Sequence, residues 1–191
     1  MACTHIAALL ICVLAADCAE ALDVQRADTH YDNGRYELEL EATIHAPPDE
    51  VQRVLRNYAA YPQLDARVLD SKVLERMNGG EVLLYSRVRA CFAFICRGVE
   101  RVERVEERPY ELVATAVPER SDVKFGLTQT QISTSGPQTT RLVYRTQIEP
   151  KFWVPRIVGR RAMLSTLREA TIDLFTQVER TAQQPAPNAT S

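Results

Sequence analysis

Apolar and polar residues alternate along most of this chain, and the alternation gives way to one long helical stripe. From Arg35 to His45 the pattern is strict. Tyr36, Leu38, Leu40, Ala42 and Ile44 face one way; Glu37, Glu39, Glu41, Thr43 and His45 face the other. A period of two with one acidic side predicts a strand with one buried and one wet face. Ala46-Pro47-Pro48 ends that strand. Val51, Val54, Leu55 and Tyr58 then recur at helical spacing behind Asp49-Glu50, so a short helix follows. Tyr58 to Leu64, with Pro62 inside it, has room only for a second short helix or a turn.

Six further strands are predicted: Val68 to Met77, Glu81 to Cys91, Arg97 to Glu107, Tyr110 to Val117, Val123 to Ser133 and Thr139 to Glu149. Asn78-Gly79-Gly80 is a hairpin turn between the first two of these. In Glu81 to Cys91 one face carries Val82, Leu84, Ser86, Val88 and Ala90. In Thr139 to Glu149 one face carries Leu142, Tyr144, Thr146 and Ile148. Val99, Val102 and Val105 repeat every three residues, which also fits a helix, but the β-branched content and the hairpin order favour a strand. The closing stripe runs from Pro155 to Ala182 through Ile157, Leu164, Leu167, Leu174, Phe175 and Val178. Arg160, Arg161, Arg168, Glu169, Asp173, Glu179 and Arg180 fall mostly on its other sides.

Consecutive strands followed by one helix predict an α+β domain with an antiparallel sheet. About seven strands would wrap the C-terminal helix, with two short helices after the first strand. The expected core domain is 34–182. Residues 22–33 read as an extended lead-in and 183–191 as a disordered tail.

Composition changes this picture in three places. Ile6 to Ala16 is an apolar run too short to span a bilayer, followed by Ala19-Glu20-Ala21. This predicts a signal peptide cleaved after Ala21 and a periplasmic or secreted protein. Its leading segment lacks Lys and Arg, and Asp17 disfavours lipid attachment at Cys18. Without the leader, basic and acidic residues balance, which argues against nucleic acid as a partner. Only Cys91 and Cys96 remain. In an exported chain they are expected to pair. A turn over Phe92 to Ile95 would bring them together, and closing so short a loop contributes about 2 kcal/mol. Two free thiols or a metal pair are the alternatives.

Ala46-Pro47-Pro48-Asp49-Glu50-Val51, Val54-Leu55 and Asn57-Tyr58-Ala59-Ala60-Tyr61-Pro62 resemble the opening of the START-like superfamily, which includes polyketide cyclase/dehydrase and coenzyme Q-binding proteins. Phe152-Trp153-Val154-Pro155 before the long helix is similar to exported members of it. The resemblance covers about residues 34 to 180. It implies a helix-grip fold: a curved antiparallel sheet around the C-terminal helix, with a hydrophobic tunnel between them. Members bind lipids, quinones, sterols, hormones or polyketides, and a minority are enzymes.

Catalytic patterns are sparse. Beyond the leader the histidines are His30 and His45, and no GxSxG, HExxH, P-loop or GxGxxG occurs. The reading that follows is a binding protein for a hydrophobic small molecule or lipid, acting as a monomer without metal or cofactor. Leu84, Ser86, Val88, Leu142, Tyr144, Thr146 and Ile148 from the sheet would face Leu164, Leu167 and Thr171 from the helix. Tyr144, Thr146, Ser86 and Gln129 are polar for an interior, which suits a pocket that orients a ligand. Phe92, Phe94, Ile95 and Trp153 would rim the mouth, with transient membrane contact. The alternatives are a cyclase/dehydratase-type enzyme using Tyr144, and a filled core with no cavity.

Overall fold

The computed structural model describes residues 22–92, 95–154 and 158–184. Residues 1–21, 93–94, 155–157 and 185–191 lie outside them, and so does the predicted helix start at Pro155.

Eight strands form one antiparallel sheet: β1 (Asp23–Asp32), β2 (Arg35–Ile44), β3 (Val68–Met77), β4 (Glu81–Phe92), β5 (Ile95–Arg108), β6 (Glu111–Ala116), β7 (Val123–Gly136) and β8 (Thr139–Pro150). Their order across the sheet is β1-β2-β8-β7-β6-β5-β4-β3. Helix α1 (Pro48–Arg56), a 3-10 turn (Tyr58–Ala60) and α2 (Tyr61–Leu64) lie between β2 and β3. Helix α3 (Val158–Ala182) crosses the concave face. Register shifts in β1, β3 and β7 bend the strands, as bulges do.

One strand exceeds the sequence expectation. The lead-in is not irregular: β1 pairs with β2 from Asp23↔Thr43 to Asp32↔Arg35. Its apolar residues are few, and a register shift between Val24 and Arg26 breaks their alternation. As an edge strand it leaves backbone groups for other partners, and Arg168 Nε donates to the Ala27 carbonyl at 3.2 Å.

The core follows the strict β2 pattern. Leu38, Leu40, Ala42 and Ile44 are buried against Leu142, against Val51, Val54 and Leu55 of α1, and against Phe175, Val178 and Ala182 of α3. Burying each large side chain here contributes about 1.5–3 kcal/mol. Glu39 and Glu41 on the outer face meet Arg145 at 2.8 Å and Arg141 at 3.1 Å. β5 is a strand, and its three-residue valine repeat has a structural cause. Val99 and Val105 face inward, while Val102 faces out beneath Ser121, whose Oγ accepts from the Val102 N–H at 2.9 Å.

Two polar placements differ from the sequence reading. Glu179 is buried, at 1% exposure, rather than on a solvated side of α3. His45 is half-buried rather than on a wet face. The two belong together: the His45 N–H donates to Glu179 Oε2 at 3.2 Å, and His45 Nδ1 lies 3.7 Å from Glu179 Oε1. The pair ties the end of β2 to the last turns of α3.

Candidate functional site

Helix α3 does not seat evenly on the sheet. Thr171, Phe175, Val178, Glu179 and Ala182 are buried, while Met163, Leu164, Leu167 and Ala170 are half-buried. Under this first half lies a cavity of about 180 Å³. Its walls are Val88 and Ala90 of β4, Val99 and Arg101 of β5, Val123 of β7, and Tyr144, Ile148 and Pro150 of β8. Met163, Thr166, Leu167 and Ala170 roof it; Arg89, Phe152, Asp65 and Arg67 stand around its edge. At roughly 30 Å³ per water in the liquid this is room for about six waters, not one or two. It is smaller than the roughly 300–1,000 Å³ of pockets that engulf a drug-sized ligand.

Two contacts fix the frame. The Thr166 hydroxyl donates to the Cys91 carbonyl at 3.1 Å, which ties α3 to the β4–β5 hairpin. Cys91 and Cys96 face each other across that hairpin, 4.0 Å apart at Cα, and form a disulfide. The two cysteines thus pair, and are neither free thiols nor metal ligands. At the inner wall the Tyr144 ring packs edge-on against Phe175, centroids 5.2 Å apart, and closes the cavity from the core.

The polar groups concentrate on β5 and β8. Arg101 and Glu103 point inward from one strand, with Nη2 3.6 Å from Oε2. Glu103 is 5% exposed. Burial pushes the Tyr144 phenol above its ordinary pKa; Arg101 and the Thr146 and Thr128 hydroxyls pull the other way. Thr128 and Thr146 share a 2.8 Å hydrogen bond. Burial, with Glu103 close by, also raises the Tyr61 phenol, which donates to the Leu55 carbonyl at 2.7 Å. Both phenols stay protonated at neutral pH. Ser86 lies opposite Arg101 and also opposite Ser71 in the strand registers. Both serine hydroxyls are buried with no hydrogen-bond partner among the described residues. The arrangement offers the Arg101 N–H and Tyr144 O–H donors at the inner wall of an apolar cleft, with the Glu103 carboxylate behind that wall against Arg101. No group of three metal-ligating side chains occurs among the described residues.

Of the residues read from the sequence, Val88, Tyr144, Ile148 and Leu167 line this cavity. Leu84 instead packs with Tyr58, Val82 and Val105 in a separate cluster, and Leu142 sits at 0% exposure in the main core. Thr146 is buried beside Thr128, and Thr171 donates to the Leu167 carbonyl. Leu164 is half-buried outside the lining. Ser86 lies beneath the wall rather than on it. Gln129 falls on the outer face opposite Arg145, so the inward polar positions of β7 are Thr128 and Thr130. Trp153 is exposed next to Phe152. The side chains of Phe92 and Ile95, and all of Phe94, fall outside the described residues. Arg101 and Glu103 were missed. The available signal was parity: Val99, Arg101, Glu103 and Val105 share one face.

No family model and no curated relative matches this chain. Solved structures do. A STAR-related lipid transfer protein from Xanthomonas axonopodis superposes with TM-score 0.61 at 17% identity, covering 83% of this chain and 99% of that one. The chain has the START-like helix-grip fold. A START superfamily protein from Mycobacterium smegmatis gives 0.61 at 18% identity over 75% and 97% of the two chains. An aromatase/cyclase from a Streptomyces species gives 0.61 at 18% identity over 77% and 93%.

Proposed function

We propose that the protein binds a hydrophobic small molecule or lipid in the cleft beneath α3. The observation that carries this is an apolar-walled space with Arg101 and Tyr144 at its inner end, and Glu103 behind the wall against Arg101. Apolar walls supply affinity by removing ligand surface from water. Arg101 is neutralised by Glu103 behind the wall, so the donors Arg101 and Tyr144 favour a neutral end group that accepts, such as a hydroxyl or a carbonyl. At its present volume the cleft takes the end of such a molecule; a longer one requires the first half of α3 to lift. The fold neighbours include a lipid transfer protein, which supports the reading. The apolar run 6–16 and the Cys91–Cys96 disulfide support export to the periplasm or beyond. We take the binding unit to be the monomer.

The test is native mass spectrometry of protein purified from its own host, followed by solvent extraction. A co-purifying apolar molecule carrying a hydroxyl or carbonyl is the expected result. A uniformly unliganded mass, with no melting shift from a panel of long-chain alcohols, quinones and sterols, would sink the reading.

The Arg101–Glu103–Tyr144 cluster also favours a second reading, a cyclase/dehydratase-type enzyme acting on a polyketide-like ligand in the same cleft. An aromatase/cyclase is among the fold neighbours. Tyr144 would then move protons on the bound chain. Tyr144→Phe would abolish turnover while leaving binding intact; a pure binding protein would show no turnover to lose.

A further inference from the structure

Charge is not spread evenly over this molecule. Between Arg87 and Val99 there are three arginines and no carboxylate, and between Pro150 and Arg168 there are five basic residues and none acidic. The formal net charge of the chain is −2, so these stretches stand against an acidic remainder. The fold brings described residues of both stretches to one place, the mouth of the cleft. Thr166 bonds the Cys91 carbonyl, the Arg97 guanidinium stacks 4.3 Å over the Phe152 ring, and Arg89, Phe152 and Met163 edge the same opening.

The arginines here are also paired differently from the rest. On the outer face of the sheet Arg26, Arg87, Arg104, Arg141 and Arg145 each meet a carboxylate. Among the described residues, Arg89, Arg97, Arg160 and Arg161 meet none. Arg97 and Arg160 lie over rings instead, Phe152 and Tyr31. Stacking uses the face of a guanidinium and leaves its N–H edge free. The nearby carboxylates are engaged: Asp65 holds Arg67 at 2.8 Å, and Asp122 accepts from the Glu100 N–H at 3.0 Å. Beside these cations Trp153 is 77% exposed, far above any other large apolar side chain among the described residues.

We propose that this end of the molecule docks on an anionic lipid surface, with Trp153 seated at the headgroup level and Arg89, Arg97, Arg160 and Arg161 against the lipid phosphates. An indole is amphipathic and settles at the membrane–water boundary. Unpaired cations near an anionic leaflet each add attraction that falls off within a Debye length. Docked this way, the cleft opens toward the bilayer. The proposal does not depend on what the cleft holds, and unliganded protein should dock as well.

Trp153 is the chain's sole tryptophan, so its fluorescence reports this surface alone. The full chain is titrated with vesicles of phosphatidylcholine containing phosphatidylglycerol, and with phosphatidylcholine only. The expected result is a blue shift on the anionic vesicles, reversed by molar salt, with quenching by bromine-labelled acyl chains. Arg97→Glu/Arg161→Glu should weaken the shift roughly tenfold or more, and its circular dichroism and melting confirm folding. Trp153→Ser should lose co-sedimentation with anionic vesicles. No shift on anionic vesicles, an equal shift on neutral ones, or an undiminished shift in the charge-reversed chain overturns the proposal. So does a concentration-dependent shift without lipid, which would assign the surface to a second copy of the chain.

Discussion

At the scale of single residues, the cleft is defined by polar groups held in an apolar wall. Ser86 lies just beneath that wall. Its hydroxyl is buried without a partner among the described residues, and such a group costs about 1–3 kcal/mol. Replacing it by alanine removes the orphan and leaves almost no void. Ser86→Ala should therefore hold or raise the melting temperature in thermal denaturation. A clear loss of stability would mean that the hydroxyl has a partner in solution. Arg101 behaves differently. Removing it strands Glu103, buried on the same strand, and stranding a buried charge is strongly destabilising. Lysine keeps the charge but loses the planar fork, so Arg101→Lys is the variant that probes ligand recognition without unfolding the wall.

At the scale of elements, α3 divides in two. Its second half is fixed by Phe175, Val178 and Ala182 in the core and by Glu179 on His45. Its first half roofs a space and is held by fewer contacts, among them the Thr166–Cys91 bond and Arg168 on the β1 edge. Local opening free energy tracks buried contact. Amide exchange should therefore be roughly tenfold or more faster over Ala162–Arg168 than over Leu174–Val178, and a bound ligand should narrow the gap. Uniform protection along the helix would contradict this division. The same asymmetry explains what the sequence could tell. Period-two patterns named the inward face of β2, β4 and β8 correctly, because parity is local. They did not tell depth along a strand. Leu84 and Leu142 share faces with Val88 and Tyr144, yet α1, α2 and the second half of α3 cover them, and those crossings are set by packing distant in sequence. β1 was hidden by its register shift, and Glu179 by the assumption that a charge seeks water.

At the scale of the whole molecule, the fold maintains a void that close packing would remove. Interiors normally pack to crystal density, and filling a real cavity stabilises. Ala170 lines the roof and faces the sheet across the gap, and the three extra carbons of leucine fit within 180 Å³. In a true cavity Ala170→Leu gains buried apolar area worth about 1–2 kcal/mol, which for a domain of this size raises the melting temperature by about 2–4 °C per kcal/mol. The same side chain occupies the space a ligand would enter, so ligand mass should disappear from the native spectrum as stability rises. An overpacked core gives the opposite sign, a loss of about 1–3 kcal/mol. Calorimetry of this one variant thus decides whether the sheet and helix enclose space or close on each other. Only the first outcome leaves a site for Arg101 and Tyr144 to serve.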